Sequence, residues 1–344
     1  MLLAACSTDD TMDEGVSGLA VSFDCAILDE ADSDNELTRA ADDPARELLT
    51  MQNTGFSVFA SHNDATTLNF MYDQEVNFAL PSYPDVTAHW EYSPHKYWPV
   101  PLGTLHFHAF APYAPLTTAD SGQEGIVGVS TTTGSEPVPQ VRYRITTHAA
   151  DNVNLLYACQ DVTTPQLQLS FRHALARVSI SVKTDRAPAA DTRILLEHFT
   201  LESSTATPIA TTATFALGTT PAWSNATTES SRTFTATNDR NDATAYAYLN
   251  SDVAYVEGLP AKWQPTPGLT TTPVDVLTLG DYVTYLYLIP QAELTLICTA
   301  VYRVCHTVAN TTDDPVTKTQ TVTLSGDNAL TTGRTIKLNF TLPI

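Results

Sequence analysis

Apolar and polar residues alternate one for one through Leu167, Leu169 and Phe171, with Gln168, Ser170 and Arg172 between them. That period of two is the mark of a half-buried strand. After His173 the phase flips, and Ala174, Ala176, Val178, Ile180 and Val182 become the apolar set. A regular strand keeps its faces, so an extra residue within His173–Arg177 is expected to act as a bulge or crossing point. A helical spacing (Phe171, Ala174, Leu175, Val178) competes, but the β-branched tail Val178–Val182 favours strand. Leu167–Val182 is thus read as one long strand that serves two sheets or two domains.

The same alternation recurs at both ends of the chain. Leu19, Val21, Phe23, Cys25 and Ile27 share one face near the start, and Ile336, Leu338, Phe340, Leu342 and Ile344 share one face at the close. Gly55–Ala60 predicts the first strand of the body. Trp90–Ala114 predicts an aromatic corner in which prolines break pairing and large rings fill the core. Thr184–Asp191, with charges, small residues and a proline, predicts a linker between domains, and Ile194–Phe199 opens the second half. Ser203–Thr244, rich in Thr, Ser and Asn, predicts edge strands and exposed loops. Thr284–Tyr302 carries an apolar run, a break at Pro290-Gln291 and a second alternating strand. The expected division is a leader, strand and acidic linker over 1–40, an N-terminal β-sandwich over 41–185 and a C-terminal one over 186–344.

Composition supports this. The chain has 344 residues, 43% of them hydrophobic and only 16% charged. That suits many short strands joined by turns and disfavours long surface helices. Nothing approaches 18 consecutive apolar residues, so no membrane-spanning helix is expected. The net charge of −21 is concentrated: thirteen acidic residues up to Glu47 are opposed there only by Arg39 and Arg46. No basic stripe exists to neutralise phosphates, which excludes nucleic acid as a partner.

Chemistry is sparse. The chain lacks a GxSxG elbow, a phosphate-cradling glycine loop and an HExxH pair, so no catalytic residue and no cofactor is expected. His106 and His108 share a strand face, but no third ligand stands at a recognisable spacing, so they are read as two partly exposed polar residues and no metal site is expected. His173, on the Leu169/Phe171 face, is read as a satisfied core or hinge histidine. Cys298 and Cys305 have opposite parity in a strand and lie roughly 23 Å apart at about 3.3 Å per residue. Cys25, Cys159, Cys298 and Cys305 are therefore read as free buried thiols. Trp223, Trp263, Tyr246, Tyr248 and Tyr255 could stack on a glycan, although packing in a core is the commoner use of such rings.

Leu3-Ala4-Ala5-Cys6 resembles a bacterial lipobox, in which the cysteine becomes the acylated N-terminus. The five residues before Cys6 are too few for a full export signal. Either the true start lies upstream or the segment was trimmed; an ordinary methionine-initiated start is the alternative. The run 29–36 (DEADSDNE) has no apolar anchor and reads as a solvated linker.

Several stretches, in order, resemble the fimbrillin family of Bacteroidales, including the Mfa-like fimbrial proteins. His173-Ala174-Leu175-Ala176-Arg177-Val178 matches an H-x-L-A-K/R-V/I strand. Trp90 and Tyr92, then Tyr97, Trp98 and Pro99, then Phe107, Ala109 and Pro112 match its W-x-Y, Y-W-P and F-x-A-x-x-P segments. His106-Phe107-His108-Ala109-Phe110 stands where the family more usually has F-F-A-Y. Asn154–Ala158 resembles D-L-L-x-A with Asn for the acid, and Ile289-Pro290-Gln291 also fits. Thr38-Arg39-Ala40 resembles the site where fimbrillins are cut after arginine.

The resemblance implies two tandem transthyretin-like β-sandwich domains with Greek-key-like connections. It implies a structural and adhesive fimbrial subunit, exported as a lipoprotein to the outer membrane and cell surface and cut between Arg39 and Ala40. Assembly would be by donor-strand exchange with other fimbrial subunits. The strand at Leu19–Ile27 would be displaced and the strand at Ile336–Ile344 donated, the alternative being that the latter stays in its own domain. A host or bacterial receptor or glycan is a further expected partner. The alternative function is a glycan-binding surface lipoprotein that never polymerises.

Overall fold

The computed structural model of the chain describes residues 18–28, 44–63, 65–80, 87–146, 153–235, 269–276, 278–279, 282–283, 285–306, 309 and 311–344. Every described element but one is a strand, the class predicted by the alternating pattern. First come β1 (Asp24–Ile27), the helix α1 (Pro44–Thr54), β2 (Phe56–His62), β3 (Met71–Ala79), β4 (His89–Glu91) and β5 (Leu105–Ala111). Then follow β6 (Gly125–Thr131), β7 (Pro139–Arg144), β8 (Leu156–Val162), β9 (Gln168–His173), β10 (Ala176–Thr184) and β11 (Thr192–Ser203). Next are β12 (Ile209–Ala216), β13 (Ala222–Glu229), β14 (Thr233–Thr235), β15 (Val274–Asp275), β16 (Thr278–Leu279) and β17 (Tyr282–Val283). The last are β18 (Leu286–Leu288), β19 (Gln291–His306), β20 (Thr311–Thr312), β21 (Val316–Leu330) and β22 (Thr335–Leu342).

Seven strands form one sheet in the order β1-β9-β8-β5-β2-β3-β4. Strand parity gives each face its own core. Val58, Ala60, Phe107, Ala109, Leu169 and Phe171 belong to one apolar cluster, together with Val21 and Phe23. Phe59, Phe110 and Tyr157 belong to the other, with Val141 and Tyr143 of β7 and Phe215 of β12. This second cluster continues into the C-terminal half through Val178, Ile180, Phe199, Leu286, Leu294 and Phe340.

The long strand expected at Leu167–Val182 is two strands. Pairing breaks at Ala174-Leu175, both fully buried, inside the window where the alternation predicts a crossing. β9 remains in the seven-stranded sheet, whereas β10 pairs with β15, β18 and β22 in another. A full break lets the backbone leave one sheet for the other, which a one-residue bulge cannot do. Pairing also crosses residue 185 in the opposite direction. β12 inserts between β13 and β7, with Phe215 opposite Val141, in the sheet β13-β12-β7-β6. β12 is therefore a central strand with Ile209, Ala213 and Phe215 buried, unlike the edge expected of Ser203–Thr244. β13 does lie at an edge and is mostly exposed.

The helix α1 is not anticipated by the alternation. It has Pro at its first position, Glu47 in its first turn, and Gly55 just past its end. Gly55 has φ 67° and its N–H donates to Met51 O at 2.8 Å, closing the helix in the left-handed region. Met51, its buried residue, enters the first core.

Candidate functional site

Two terminal strands carry the assembly expectation. The N-terminal one lies at the edge of the seven-stranded sheet. β1 runs parallel to β9, with Cys25 opposite Leu169 and Ile27 opposite Phe171. Upstream the backbone is clamped on its other side: Val21 N–H donates to Lys96 O (2.8 Å), and Trp98 N–H donates to Leu19 O (3.0 Å). The Tyr92 hydroxyl donates to Val21 O (2.9 Å) and accepts from Lys96 N–H (3.1 Å). Val21, Phe23 and Cys25 are buried and Ile27 half-buried, in the predicted phase. Leu19 is not: it is 62% exposed, because the chain there has passed beyond the core.

Phe23 sits edge-on to Phe56 (5.7 Å between centroids) and Tyr92 (5.3 Å). Phe56 in turn meets Phe171 at 5.4 Å and Trp90 at 4.9 Å. Beneath β1, then, is an aromatic floor supplied by β2, β4, β9 and the 92–98 corner. Burial raises the Cys25 thiol well above its ordinary pKa, so it stays a neutral apolar contact. Of the rings expected to fill the aromatic corner, Tyr92 and Trp98 are buried, whereas Tyr97 is 55% exposed.

The C-terminal strand β22 lies parallel to β10, with Val178 opposite Ile336, Ile180 opposite Leu338 and Val182 opposite Phe340. Ile336, Leu338, Phe340 and Leu342 are buried in their own chain, Phe340 edge-on to Phe199 at 5.1 Å, and Ile344 is half-buried. Lys337 Nζ pairs with Asp275 Oδ1 at 2.9 Å on the other face.

A profile of the fimbrillin-like family matches residues 38–343. The chain belongs to that family. It is 26% identical over 175 residues to the fimbrium subunit Fim1C of Phocaeicola vulgatus, a match covering 45% of this chain and 44% of that relative. Its fold resembles the crystal structure of a fimbrial protein from Bacteroides vulgatus, with a TM-score of 0.59 at 17% identity over 94% of this chain and 95% of that one.

Other candidate residues of this fimbrillin-like chain fall as follows. Cys6, Arg39, Ala40, Trp263, Tyr246, Tyr248 and Tyr255 lie outside the described residues. Trp223 packs on Phe215 (5.0 Å), and its Nε1–H donates to Ala174 O (2.9 Å), so its ring is engaged with the core. His173 is buried at the β9–β10 break. Its Nε2 lies 2.9 Å from Arg177 Nη1 and 3.0 Å from Glu47 Oε2. One nitrogen cannot bond both, and Arg177 is always protonated, so the ring accepts from Arg177 and Nδ1–H is left for Asn154 Oδ1 (3.2 Å). Cys25 and Cys298 are buried free thiols, and Cys159 is a free, half-buried one.

His106 and His108 do share a face of β5, but they are not equivalent. His106 is half-buried and bonds Asp161 Oδ1 through Nδ1 at 2.6 Å. His108 is only 6% exposed, against the partial exposure expected, and burial pushes its pKa down to about 4. Both line a cleft of about 490 Å³ with Cys159, Asp161 and Glu136. Burial pushes the Cys159 thiol up to about 12. A hydrogen bond from the Thr219 N–H holds the Glu136 carboxyl below its ordinary range. Sequence reading missed this grouping because Cys159 and Asp161 join the histidines only through strand register.

Proposed function

We propose that the chain is a subunit of cell-surface fimbriae, exported as a lipoprotein through Cys6 and held at the outer membrane until cleavage between Arg39 and Ala40. Cleavage would release β1, and a strand of another subunit would take its place, with β22 the donor. The observation that carries this reading is the seat of β1. It is an edge strand lying N-terminal to the proposed cut, over an aromatic floor of Phe56, Phe171 and Tyr92. Its loss would leave that floor and one edge of β9 open, the surface that β-augmentation fills.

Val21 and Phe23, with the smaller Cys25 and half-buried Ile27, hold roughly 5–8 kcal/mol gross. Donating β22 would uncover Ile336, Leu338, Phe340 and Leu342 from their own core, roughly 6–12 kcal/mol gross, and bury them again in the next subunit. Exchange alone is close to balanced, so its direction would come from the irreversible loss of β1. The two-sandwich layout belongs to the same proposal, as do a structural, adhesive role and a receptor or glycan as a further partner.

Two reversible locks test it. Ala26→Cys with Ser170→Cys would tether β1 to β9, and Lys183→Cys with Thr341→Cys would tether β22 to β10; each pair is opposite in the register. After treatment with an arginine-specific protease, both oxidised proteins should stay monomeric and polymerise on reduction. Polymerisation of the oxidised β10–β22 variant would remove β22 as donor. Polymerisation of the oxidised β1–β9 variant would remove the groove as acceptor. A mature filament subunit that still begins at Cys6 would overturn the cleavage step.

A further inference from the structure

The sheet containing β11 and β19 ends on an edge that the assembly reading does not use. In it β21 pairs with β19, on the side away from β11. The register is antiparallel and unbroken from Val316 opposite Tyr302 to Ser325 opposite Glu293. Among the described residues no hydrogen bond reaches the other side of this stretch, so its outward backbone N–H and C=O groups are unpaired.

Proteins usually guard such an edge with charge, proline, a bulge or a very short strand. β21 has fifteen residues and, from Val316 to Ser325, no bulge, no proline and one charge, Lys318. The net charge of −21 that the chain carries is thus kept off this edge. Its nearest acids lie beyond the ends: Asp313 and Asp314 precede Pro315, and Asp327 follows Gly326, which turns at φ 57°. Thr317, Thr319, Thr321 and Thr323 form an exposed row of β-branched side chains, which favour extended backbone. Thr319 and Thr323 are fixed from within, through Oγ1 contacts to Thr299 (3.4 Å) and Thr295 (3.1 Å) of β19. The edge is regular, weakly charged and open.

We propose that β21 is a lateral docking edge whose occupant is β21 of a second copy of this chain, antiparallel about a two-fold axis through Gln320. Opposed residues of antiparallel strands project to the same side, so such an axis pairs residues of equal parity. It sets Val316 against Leu324, Thr319 against Thr321, and Gln320 against its own counterpart. Lys318 meets Val322, which keeps the two lysines four residues apart and lays each stem along an apolar side chain. Moving the axis to Thr321 would set Val316 against Gly326 and Gln320 against Val322. Moving it to Thr319 would shorten the paired stretch from nine residues to seven. Nine residues at about 3.3 Å each give a strip about 30 Å long, a contact of the weak class below about 1,200 Å². One pair is therefore reversible, and a row of subunits held side by side gains by avidity. The pairing leaves β1 and β22 in place, so it requires no cleavage and is independent of the end-to-end exchange.

The test uses the full, uncut chain. Gln320→Cys, Lys318→Cys and the exposed surface control Thr118→Cys are mildly oxidised at high protein concentration and read on non-reducing gels against the native chain. Gln320→Cys, opposite itself at about 5 Å, should form the interchain disulfide about tenfold faster than either of the others. Sedimentation velocity should show a monomer–dimer equilibrium for the native chain. Thr319→Lys combined with Thr321→Lys sets lysine against lysine across the pair, and should weaken the dimer by about tenfold or more. Both side chains are exposed, so the melting temperature should not change; if it falls, Thr317→Lys with Thr323→Lys, the next opposed pair, takes its place. Equal disulfide rates at 320, 318 and 118 overturn the proposal. So does a native chain that stays monomeric, or a dimer that the lysine variants leave intact.

Discussion

Tyr92 shows how much one side chain contributes to holding the N-terminal strand. Its oxygen serves two backbone groups, giving a hydrogen to Val21 O and taking one from Lys96 N–H, while its ring supports Phe23. Tyr92→Phe keeps the ring and removes only those two bonds. It should destabilise the uncut chain by about 1–3 kcal/mol, the cost of leaving buried backbone groups unpaired. Urea unfolding at neutral pH reads this directly. The same substitution should cost distinctly less in a chain beginning at Ala40, where Val21 is gone; an equal loss in both would mean that Tyr92 acts elsewhere. At this scale the sequence was informative about burial and poor about partners. Alternation identified Val21, Phe23 and Cys25 as inward-facing, because parity is a local property. It could not show that Leu19 falls past the end of the core, or that His106 and His108 lie beside Asp161 and Cys159, because those facts depend on segments fifty or more residues away.

Among the elements, the break between β9 and β10 carries a connected set of buried polar contacts. Arg177 is 1% exposed; it donates to His173 Nε2 and to Gly333 O (3.0 Å) and lies over the Tyr285 ring at 5.6 Å. It thus links β9, β10, the turn before β22 and the chain ahead of β18, with Glu47 of α1 against the same nitrogen of His173. Removing one member of such a buried charged group leaves the others uncompensated, so Arg177→Ala should cost about 3–5 kcal/mol. Arg177→Met, which keeps most of the volume, should cost less. If guanidinium unfolding shows both variants equal to the native chain, the network does not secure the crossing. The phase flip after His173 made this crossing legible, since a change of face leaves a trace in the apolar pattern. The helix α1 went unread, because Pro44 and Gly55 mark its ends but eleven residues with one buried side chain leave almost no periodic stripe.

For the whole molecule, the question is whether the two halves are beads on a string or interlocked. Residues 185–187 and 189–191 are exposed, as a linker predicts, and limited proteolysis of a chain beginning at Ala40 should nick there. The strands on either side are exchanged across that point, however. β10, before it, pairs with β22 over eight residues, and β12, after it, pairs with β7 over five. One apolar cluster runs from Phe59 and Phe110 to Phe199 and Phe340 without interruption. A chain nicked at 185–191 should therefore remain a single particle in native buffer, the two fragments co-eluting on gel filtration and separating only in denaturant. Its unfolding should stay one cooperative transition, because neither fragment retains a complete set of sheet partners. Two fragments that part in native buffer, or two separate thermal transitions, would mean that the shared sheets contribute little and that the halves fold as independent domains. Interlocking also bears on assembly: a tensile load on β22 would pass through β10 to the β9–β10 break and so into the sheet that carries the β1 groove. In the proposed assembly, a subunit with this connectivity would transmit force between its two terminal strands through buried pairing rather than through the exposed segment 185–191.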